Sequence, residues 1–139
     1  MKYLTILLSV AILLTSGIVN KGDDMFVIYT DRFIPENYDA YTRFPFILIR
    51  PSSKDDKGLL AHEKRHVKQV WKYLFLQPIL YKFSKKWRLK FELEAMIAQA
   101  KEGADIEKLA LDLANKYDLN ISPTNAKLII ANGIINFKY

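Results

Sequence analysis

The chain has 139 residues, half of them hydrophobic, no cysteine and a formal net charge of +6. This composition excludes a disordered chain, and it excludes disulfides, thiol nucleophiles and zinc sites built on cysteine. The length allows one domain with a modest core. Any metal ligand must be His, Asp or Glu. The basic charge favours an anionic neighbour such as a membrane, the cell wall or nucleic acid.

The N-terminal segment has the pattern of a targeting sequence. Lys2 precedes a mostly apolar run at 3–19 with small residues at 15–17, and the chain becomes polar at 20–24. The pattern predicts a signal peptide or an uncleaved membrane anchor over 1–24, because the apolar run is close to the shortest length that spans a bilayer. It therefore predicts an exported protein, periplasmic or anchored in the inner membrane, in a bacterial or phage setting. The alternatives are a buried N-terminal helix and translation from Met25, which would leave a cytoplasmic domain.

Two strands are predicted after the leader. Residues 25–30 (MFVIYT) and 45–50 (PFILIR) are rich in β-branched and aromatic side chains. The segment 31–44 between them is rich in turn-forming residues and is predicted to be a loop.

The remainder of the chain is predicted to be helical. Four segments, marked by apolar residues at helical spacing or by helix caps, are predicted as helices at about 58–75, 87–102, 106–117 and 122–133. Together with the strands they predict an α+β fold in which short strands pack on a mostly helical body. No linker divides the chain, so residues 25–139 are predicted to form one domain.

The predicted helix ends follow from residue type. Ser52 or Ser53 is predicted to cap the first helix, and Ser122 the last. Gly103 and Gly133 are predicted to lie just beyond the ends of the second and the last helix, because glycine readily adopts the left-handed backbone found there.

Both histidines of the chain lie in the sequence AHEKRHVKQ at 61–69, within the first predicted helix. His62 and His66 are one helical turn apart, so two imidazole nitrogens can bind one ion. Glu63 lies beside this pair, where it can accept a proton from a metal-bound water. The alternative is an ordinary amphipathic helix with two half-buried histidines.

The same helix has three predicted faces. The two histidines share one face, an adjoining apolar face is predicted to pack on the core, and a basic face is predicted to contact solvent. The predicted core residues are Leu60, Val67, Trp71 and Leu74, and the predicted solvent-facing residues are Lys64, Arg65, Lys68 and Lys72.

A catalytic zinc site usually has three protein ligands, and the third one here must be a carboxylate. The helical segment 88–100 contains two candidates. Glu92 shares its face with apolar residues and Gln99, whereas Glu94 lies near lysines and is predicted to be solvent-exposed. Glu92 is therefore the predicted ligand, and a partly buried ion pair with Arg88 is the alternative.

The spacing His62-Glu-x-x-His66 followed by Glu92-x-x-Ala95 resembles the gluzincin arrangement of zinc metallopeptidases. In those enzymes a second helix supplies the third ligand through a Glu-x-x-Ala motif. The wider pattern is similar to a family of small zincin-like proteins of phages and bacteria, and the resemblance covers roughly residues 25–120.

The resemblance implies a minimal zincin-like domain with its metal motif on a central helix. It also implies one zinc ion, bound by His62, His66 and Glu92, with Glu63 as the catalytic base. One departure is Met96, because many of these peptidases have an aspartate at that position, which supports the ligands.

The mechanism implied by the resemblance is zinc-assisted hydrolysis of a peptide or protein. Zinc lowers the pKa of its bound water and polarises the substrate carbonyl, while Glu63 accepts the proton. Tyr73 and Tyr81 are candidate donors to the developing oxyanion. In zincin-like folds an edge strand pairs with extended substrate, and the resemblance gives that role to the strand at 45–50.

Residues 64–90 contain nine Lys and Arg residues and no acidic residue. Aromatic side chains alternate with some of them, a pattern that suits an anionic membrane or single-stranded nucleic acid. Because of the predicted leader, membrane or cell wall is favoured over nucleic acid, and an ordinary solvated helix face is the alternative. The predicted contact residues are Lys82, Lys85, Lys86, Arg88 and Lys90.

Two functions remain open at the level of sequence. The first is a zinc-dependent hydrolase, more specifically a metallopeptidase. The second is a non-catalytic zincin-like module with an interaction or structural role at the phage or cell envelope. Glu63 favours the first, because a purely structural metal site does not need a base.

Overall fold

The computed structural model describes residues 19–22, 25–74 and 76–136. The described residues form short strands followed by helices, which confirms the predicted α+β class. The chain divides into two compact units, Met1–Asp55 and Asp56–Tyr139, the first built around a sheet and the second from helices. The single domain predicted over 25–139 stays a prediction.

Most of the predicted leader, residues 1–18 and 23–24, lies outside the described residues. None of the helices in the described part of the chain is long and apolar enough to cross a membrane. The prediction of export therefore stays a prediction.

The first unit contains a four-stranded sheet with the order β1-β2-β4-β3. Its strands are β1 (Val19–Gly22), β2 (Met25–Tyr29), β3 (Ala40–Arg43) and β4 (Phe46–Ile49). β2 and β4 are parallel, whereas β1 pairs with β2, and β3 with β4, in antiparallel orientation. β2 and β4 confirm the two predicted strands.

The sequence pattern does not predict β1 or β3, because each is short and lies in a segment with a stronger competing signal. β1 lies at the end of the predicted leader, and β3 lies inside the predicted loop. β3 pairs with β4 along its whole length, from Ala40 opposite Ile49 to Arg43 opposite Phe46. Pairing with a neighbour, rather than a pattern of its own, defines such a strand.

β4 lies in the middle of the sheet. The same four residues, Phe46–Ile49, pair with β2 on one side and with β3 on the other. The expectation that the strand at 45–50 is an edge strand for extended substrate is therefore wrong, because both of its hydrogen-bonding edges are occupied.

Arg50 joins the end of β4 to the loop that follows β2. Its guanidinium donates to the backbone oxygens of Tyr38 at 2.9 Å and Pro35 at 3.3 Å, and to the carboxylate of Asp31 at 3.3 Å. A small buried cluster lies in the same unit and consists of Ile28, Ile34 and Leu48.

The described residues of the second unit form five helices. These are α1 (Lys57–Lys72), α2 (Gln77–Phe83), α3 (Lys85–Lys101), α4 (Ile106–Lys116) and α5 (Pro123–Asn136). α1, α3, α4 and α5 confirm the four predicted helices, with ends shifted by a few residues. The sequence pattern does not predict α2, because its two turns are too short to show a clear helical period.

The cap of α1 differs from the predicted one. Ser52 and Ser53 belong to a short 3-10 turn, Pro51–Ser53, and neither caps the helix. The carboxylate of Asp56 instead accepts a hydrogen bond from the amide of Leu59 at 2.8 Å. Aspartate is as good a cap as serine, and it stands immediately before the first helical residue.

Two residues that are predicted to be in the core, one in the last turn of α1 and one just after the helix, are exposed. Trp71 is 60% exposed and Leu74 is 78% exposed, although Val67 on the same face is buried. The reason is that α3 covers the neighbouring face, where Tyr73 packs against Trp87, and α1 ends at Lys72. The apolar pattern of α1 therefore extends beyond the region that its partner helix covers.

α3 is the central helix of this unit. It packs against α1, α2, α4 and α5, whereas α1 carries the histidine motif at one side. α1 and α3 are antiparallel, because Gly58 at the start of α1 faces Gln99 near the end of α3, and Gln69 late in α1 bonds to Phe91. The main buried cluster joins α3 to α4 and α5 and contains Met96, Leu109, Ala110, Leu113, Ala126 and Ile130.

Gly133 lies inside α5 and does not end it, contrary to the prediction. A Cβ at this position would overlap Cδ1 of Ile97, a residue of α3 that is 1% exposed. The missing side chain therefore allows α5 to approach α3 closely. By contrast, Gly103 has a φ of 95° just beyond α3, as predicted for a glycine at a helix end.

We expect Gly133→Ala to lower the free energy of unfolding by about 1 kcal/mol. Overpacking a core costs about 1–3 kcal/mol, and alanine regains up to about 1 kcal/mol of helix propensity. Ile97→Val removes the overlapping Cδ1 atom, so the double variant should be more stable than the sum of the two single effects predicts. Urea denaturation of the four proteins measures this coupling, and strictly additive effects would contradict the proposed overlap.

Candidate metal centre

α1 brings the two histidines of the motif together. His62 is 6% exposed, the ring centroids of His62 and His66 are 4.8 Å apart, and their Nε2 atoms are 3.1 Å apart. This is the geometry expected for residues one helical turn apart on one face. Both Nε2 atoms therefore point to the same location.

α3 adds the carboxylate of Glu92 to the same location. Glu92 is 2% exposed, with Oε2 at 3.5 Å from Nε2 of His62 and Oε1 at 3.6 Å from Nε2 of His66. One ligand atom from each of the three residues can be chosen so that all lie within 4.8 Å of one another. The structure thus brings together the three residues that the sequence predicts as metal ligands.

The spacing of these atoms fits a zinc ion. Tetrahedral zinc with bonds of about 2.0–2.1 Å holds its ligand atoms about 3.3–3.4 Å apart. The contacts of 3.1, 3.5 and 3.6 Å among His62, His66 and Glu92 lie on both sides of that value. Moreover, Oε2 of Glu92 is buried and accepts no hydrogen bond from the described residues. A buried carboxylate oxygen without a donor is costly, and a cation would satisfy it.

Each imidazole is oriented by a glutamine on its other side. Oε1 of Gln99 lies 3.0 Å from Nδ1 of His62, and Oε1 of Gln69 lies 3.0 Å from Nδ1 of His66. An amide oxygen can only accept, so each Nδ1–H donates and each Nε2 is left with a lone pair. Two lone pairs facing each other repel unless a cation or a proton lies between them. The donor set is therefore arranged for a cation.

Gln69 is itself fixed by two further hydrogen bonds. Its amide nitrogen donates to the backbone oxygen of Phe91 at 2.9 Å and to Oε2 of Glu94 at 3.3 Å. This determines which end of the amide faces His66. Glu94 also accepts from Arg65 at 3.2 Å, so the chain of contacts runs from His66 to a partly buried ion pair.

The predicted solvent exposure of Glu94 and Arg65 is wrong. Glu94 is 6% exposed rather than solvent-facing. Arg65 is half-buried rather than fully exposed, and it forms an ion pair with Glu94. The sequence pattern places Glu94 beside lysines of its own helix, but α1 covers this side of α3 and provides Arg65 as a better partner. A buried carboxylate needs such a cation and hydrogen bonds.

The third ligand also has a supporting partner. The hydroxyl of Tyr81, on α2, donates to Oε1 of Glu92 at 2.7 Å. The predicted alternative, an ion pair between Glu92 and Arg88, is not formed, because the guanidinium of Arg88 donates to the backbone oxygens of Tyr81, Lys82 and Tyr117. Tyr81 thus orients a ligand, and its expected role as donor to an oxyanion stays a prediction.

The supporting residues Gln69, Gln99 and Tyr81 are not identified by sequence reasoning. A signal for two of them is present, because Gln69 lies on the histidine face of α1 and Gln99 on the Glu92 face of α3. Met96, where the resemblance expects a supporting aspartate, is 1% exposed and belongs to the main buried cluster. Tyr73, the other candidate donor, packs edge-on against Phe91 and Trp87.

Glu63 is buried beside the two histidines, at 6% exposure. Burial alone would lower the pKa of His66, but the charges of Glu92 and, to a smaller extent, Glu63 outweigh it and raise that pKa to about 9. Burial likewise opposes ionisation of Glu92, but His66 and His62 hold its pKa well below its usual range. The negative charge of this pocket thus attracts a proton in the metal-free protein, and it would attract a metal cation for the same reason.

The predicted basic surface is only partly available for binding. Arg88 is used inside the protein, as described above, and Lys85 forms an ion pair with Asp118 at 3.2 Å. Lys82, Lys86 and Lys90 are exposed. Contact of this stretch with a membrane or cell wall therefore stays a prediction for these three lysines.

No family model matches this chain, and no curated protein and no solved structure was found to match it. The function of the chain therefore has to be inferred from the chemistry of the site.

We expect Gln69→Leu to weaken zinc binding by about 10- to 100-fold, a typical effect of losing a hydrogen bond to a metal ligand. The change frees the ring of His66 and removes a donor from Glu94. It should also lower the free energy of unfolding by about 1–3 kcal/mol, because the buried carboxylate of Glu94 and the backbone oxygen of Phe91 each lose one hydrogen bond. Competition with a zinc-binding dye measures the affinity, and denaturation with excess chelator measures the stability. An unchanged affinity with lowered stability would mean that Gln69 is only a packing residue.

Proposed function

We propose that this protein is a zinc-dependent hydrolase, and more specifically a metallopeptidase of a minimal zincin-like type. The observation that carries the proposal is the convergence of His62, His66 and Glu92, each with a separate hydrogen-bond partner behind it. Three protein ligands leave one position of tetrahedral zinc for water or substrate, which is typical of catalytic rather than structural zinc.

The residues around the centre have distinct roles in this proposal. Zinc, when bound by His62, His66 and Glu92, would acidify a water molecule and polarise the carbonyl to be cleaved. Glu63 would accept the proton of that water and later give it to the leaving amine. Gln69 and Gln99 keep both Nε2 lone pairs directed at the centre.

The position of Glu63 supports a catalytic centre over a structural one. A buried carboxylate beside two histidines costs desolvation energy, and it is not one of the three residues whose ligand atoms converge. A structural zinc site does not need this group. The non-catalytic module remains the competing function.

The experiment is a screen for hydrolysis with reversible removal of the metal. The full chain is tested on unfolded proteins and on cell-wall peptides before chelation, after chelation, and after addition of one equivalent of zinc. We expect cleavage that is lost on chelation and restored by zinc. Zinc binding without cleavage of any of these substrates would favour the non-catalytic module.

A further inference from the structure

α2 has its polar side turned inward and its apolar side turned outward. Gln77 is 8% exposed, and Tyr81 donates to Glu92 in the candidate metal centre. In contrast, Leu76 is 55% exposed, Ile79 is 56% exposed and Phe83 is 77% exposed. These three residues lie at the spacing of one helix face. This is the reverse of the usual amphipathic arrangement in a water-soluble protein.

The segment before α2 adds two more exposed apolar side chains, close to α2 in sequence. Trp71 at the end of α1 and Leu74 just after it are 60% and 78% exposed. We call the resulting set the apolar surface, and it consists of Trp71, Leu74, Leu76, Ile79 and Phe83. Such a concentration of exposed large apolar side chains within 13 residues indicates an interaction site rather than ordinary surface.

The charged residues that neighbour the apolar surface in sequence are all basic. Residues 64–91 contain nine Lys and Arg residues and no Asp or Glu. Exposed lysines flank the apolar residues, and several ammonium groups lie over aromatic rings, as in the pairs of Lys82 with Phe83 at 5.5 Å and Lys90 with Trp87 at 4.7 Å. The flanking exposed lysines are Lys68, Lys72, Lys82, Lys86 and Lys90.

We propose that the apolar surface docks onto an anionic lipid bilayer. Trp, Leu, Ile and Phe side chains would enter the boundary between headgroups and acyl chains, and the lysines would contact lipid phosphates. A bilayer matches the combination of charge and apolar side chains better than an apolar protein groove does, because long flanking lysines can reach anionic headgroups while the apolar residues are buried. This inference does not depend on the proposed hydrolase function.

Docking would also fix where the candidate metal centre acts. Tyr81 contacts Glu92 from the inner side of α2, while Ile79 and Phe83 occupy the outer side of the same helix. The centre would therefore lie one helix away from the lipid surface. This consequence, unlike the docking itself, rests on the proposed hydrolase function: the substrate class within reach would be a protein or peptide held close to a membrane.

The test is binding of the full chain to vesicles, with Trp71 as a local reporter. Vesicles of phosphatidylcholine with about 30% phosphatidylglycerol are compared with pure phosphatidylcholine by flotation and by tryptophan fluorescence. We expect binding to the anionic vesicles and a blue shift of the emission. The shift should be absent in Trp71→Phe, which keeps an apolar side chain, so that variant should still bind.

Two pairs of variants distinguish binding through the apolar surface from nonspecific binding to vesicles. Ile79→Ser/Phe83→Ser should weaken binding at least about tenfold. Leu128→Ser/Ile135→Ser is the matched control, because Leu128 and Ile135 on α5 are 57% and 79% exposed, and it should bind like the wild type. Lys82→Glu/Lys86→Glu should weaken binding by about 25-fold or more, from roughly fivefold per lysine, whereas Lys54→Glu/Lys108→Glu should not.

Several outcomes would overturn the proposal. Binding without a Trp71-dependent shift would mean that another part of the chain contacts the bilayer. Equal effects of the two serine variants would mean that the apolar surface has no special role. Absence of vesicle binding together with a dimer that Ile79→Ser/Phe83→Ser dissociates would assign the surface to a second copy of the chain.

Discussion

Glu92→Gln is expected to weaken zinc binding by roughly 10²- to 10³-fold. Structural zinc in four-ligand peptides is bound by about 10–16 kcal/mol, so one ligand corresponds to about 2.5–4 kcal/mol. The substitution keeps the size of the side chain and removes its charge, and Oε2 of Glu92 accepts no hydrogen bond from the residues that the structure describes. The affinity is measured by competition with a zinc-binding dye of known affinity at fixed pH.

Glu94→Gln is the matched control for Glu92→Gln. It makes the same chemical change on the same helix, and Glu94 is also buried, but its partners are Arg65 and Gln69 rather than the two histidines. We expect its zinc affinity to fall by about tenfold at most, with a clear loss of stability because Arg65 loses its counter-charge. If Glu94→Gln lost more affinity than Glu92→Gln, the assigned ligand would be wrong.

Glu63→Gln is expected to lower the rate of hydrolysis by about 10²- to 10⁴-fold while leaving zinc content and fold unchanged. General-base catalysis contributes about this much, and glutamine keeps the shape of glutamate but cannot accept the proton. Removing one negative charge close to His66 should weaken zinc binding only slightly. The rate is compared with wild type on whichever substrate the screen identifies, at saturating zinc.

Two measurements and one control variant are needed to interpret the Glu63→Gln rate. Circular dichroism and zinc content of the variant must match those of wild type, and Glu102→Gln, a change at the exposed end of α3, controls for the loss of a carboxylate at a distance. Wild-type activity in Glu63→Gln would contradict its role as base. Loss of zinc from the variant would make Glu63 a structural part of the centre.

The ligand set could be predicted from sequence because it depends on local geometry. One helical turn separates His62 from His66, and this relation holds wherever the helix lies. The choice of Glu92 required only its position relative to the apolar residues of α3. The burial of Glu94 could not be predicted in this way, because it depends on the approach of Arg65 and Gln69 from another helix.

The supporting residues and the strand order depend on contacts between distant parts of the chain. Tyr81 could not be assigned because α2 is too short to be recognised, so its approach to Glu92 had no basis in the pattern. The resemblance gives β4 the role of an edge strand, whereas its neighbour β3 has no strand pattern of its own and is recognised only by its pairing with β4. Exposure of Trp71 and Leu74 likewise follows from which face α3 covers.

The metal content of the purified full chain tests the central claim most directly. Wild type and His62→Ala are purified without chelator, exchanged into zinc-free buffer, and analysed for metals by mass spectrometry together with the protein concentration. The convergence of His62, His66 and Glu92 predicts about one zinc per wild-type chain and a strongly reduced content in His62→Ala. No bound zinc in wild type even after addition of excess zinc, or equal zinc in both proteins, would contradict the assignment of this site.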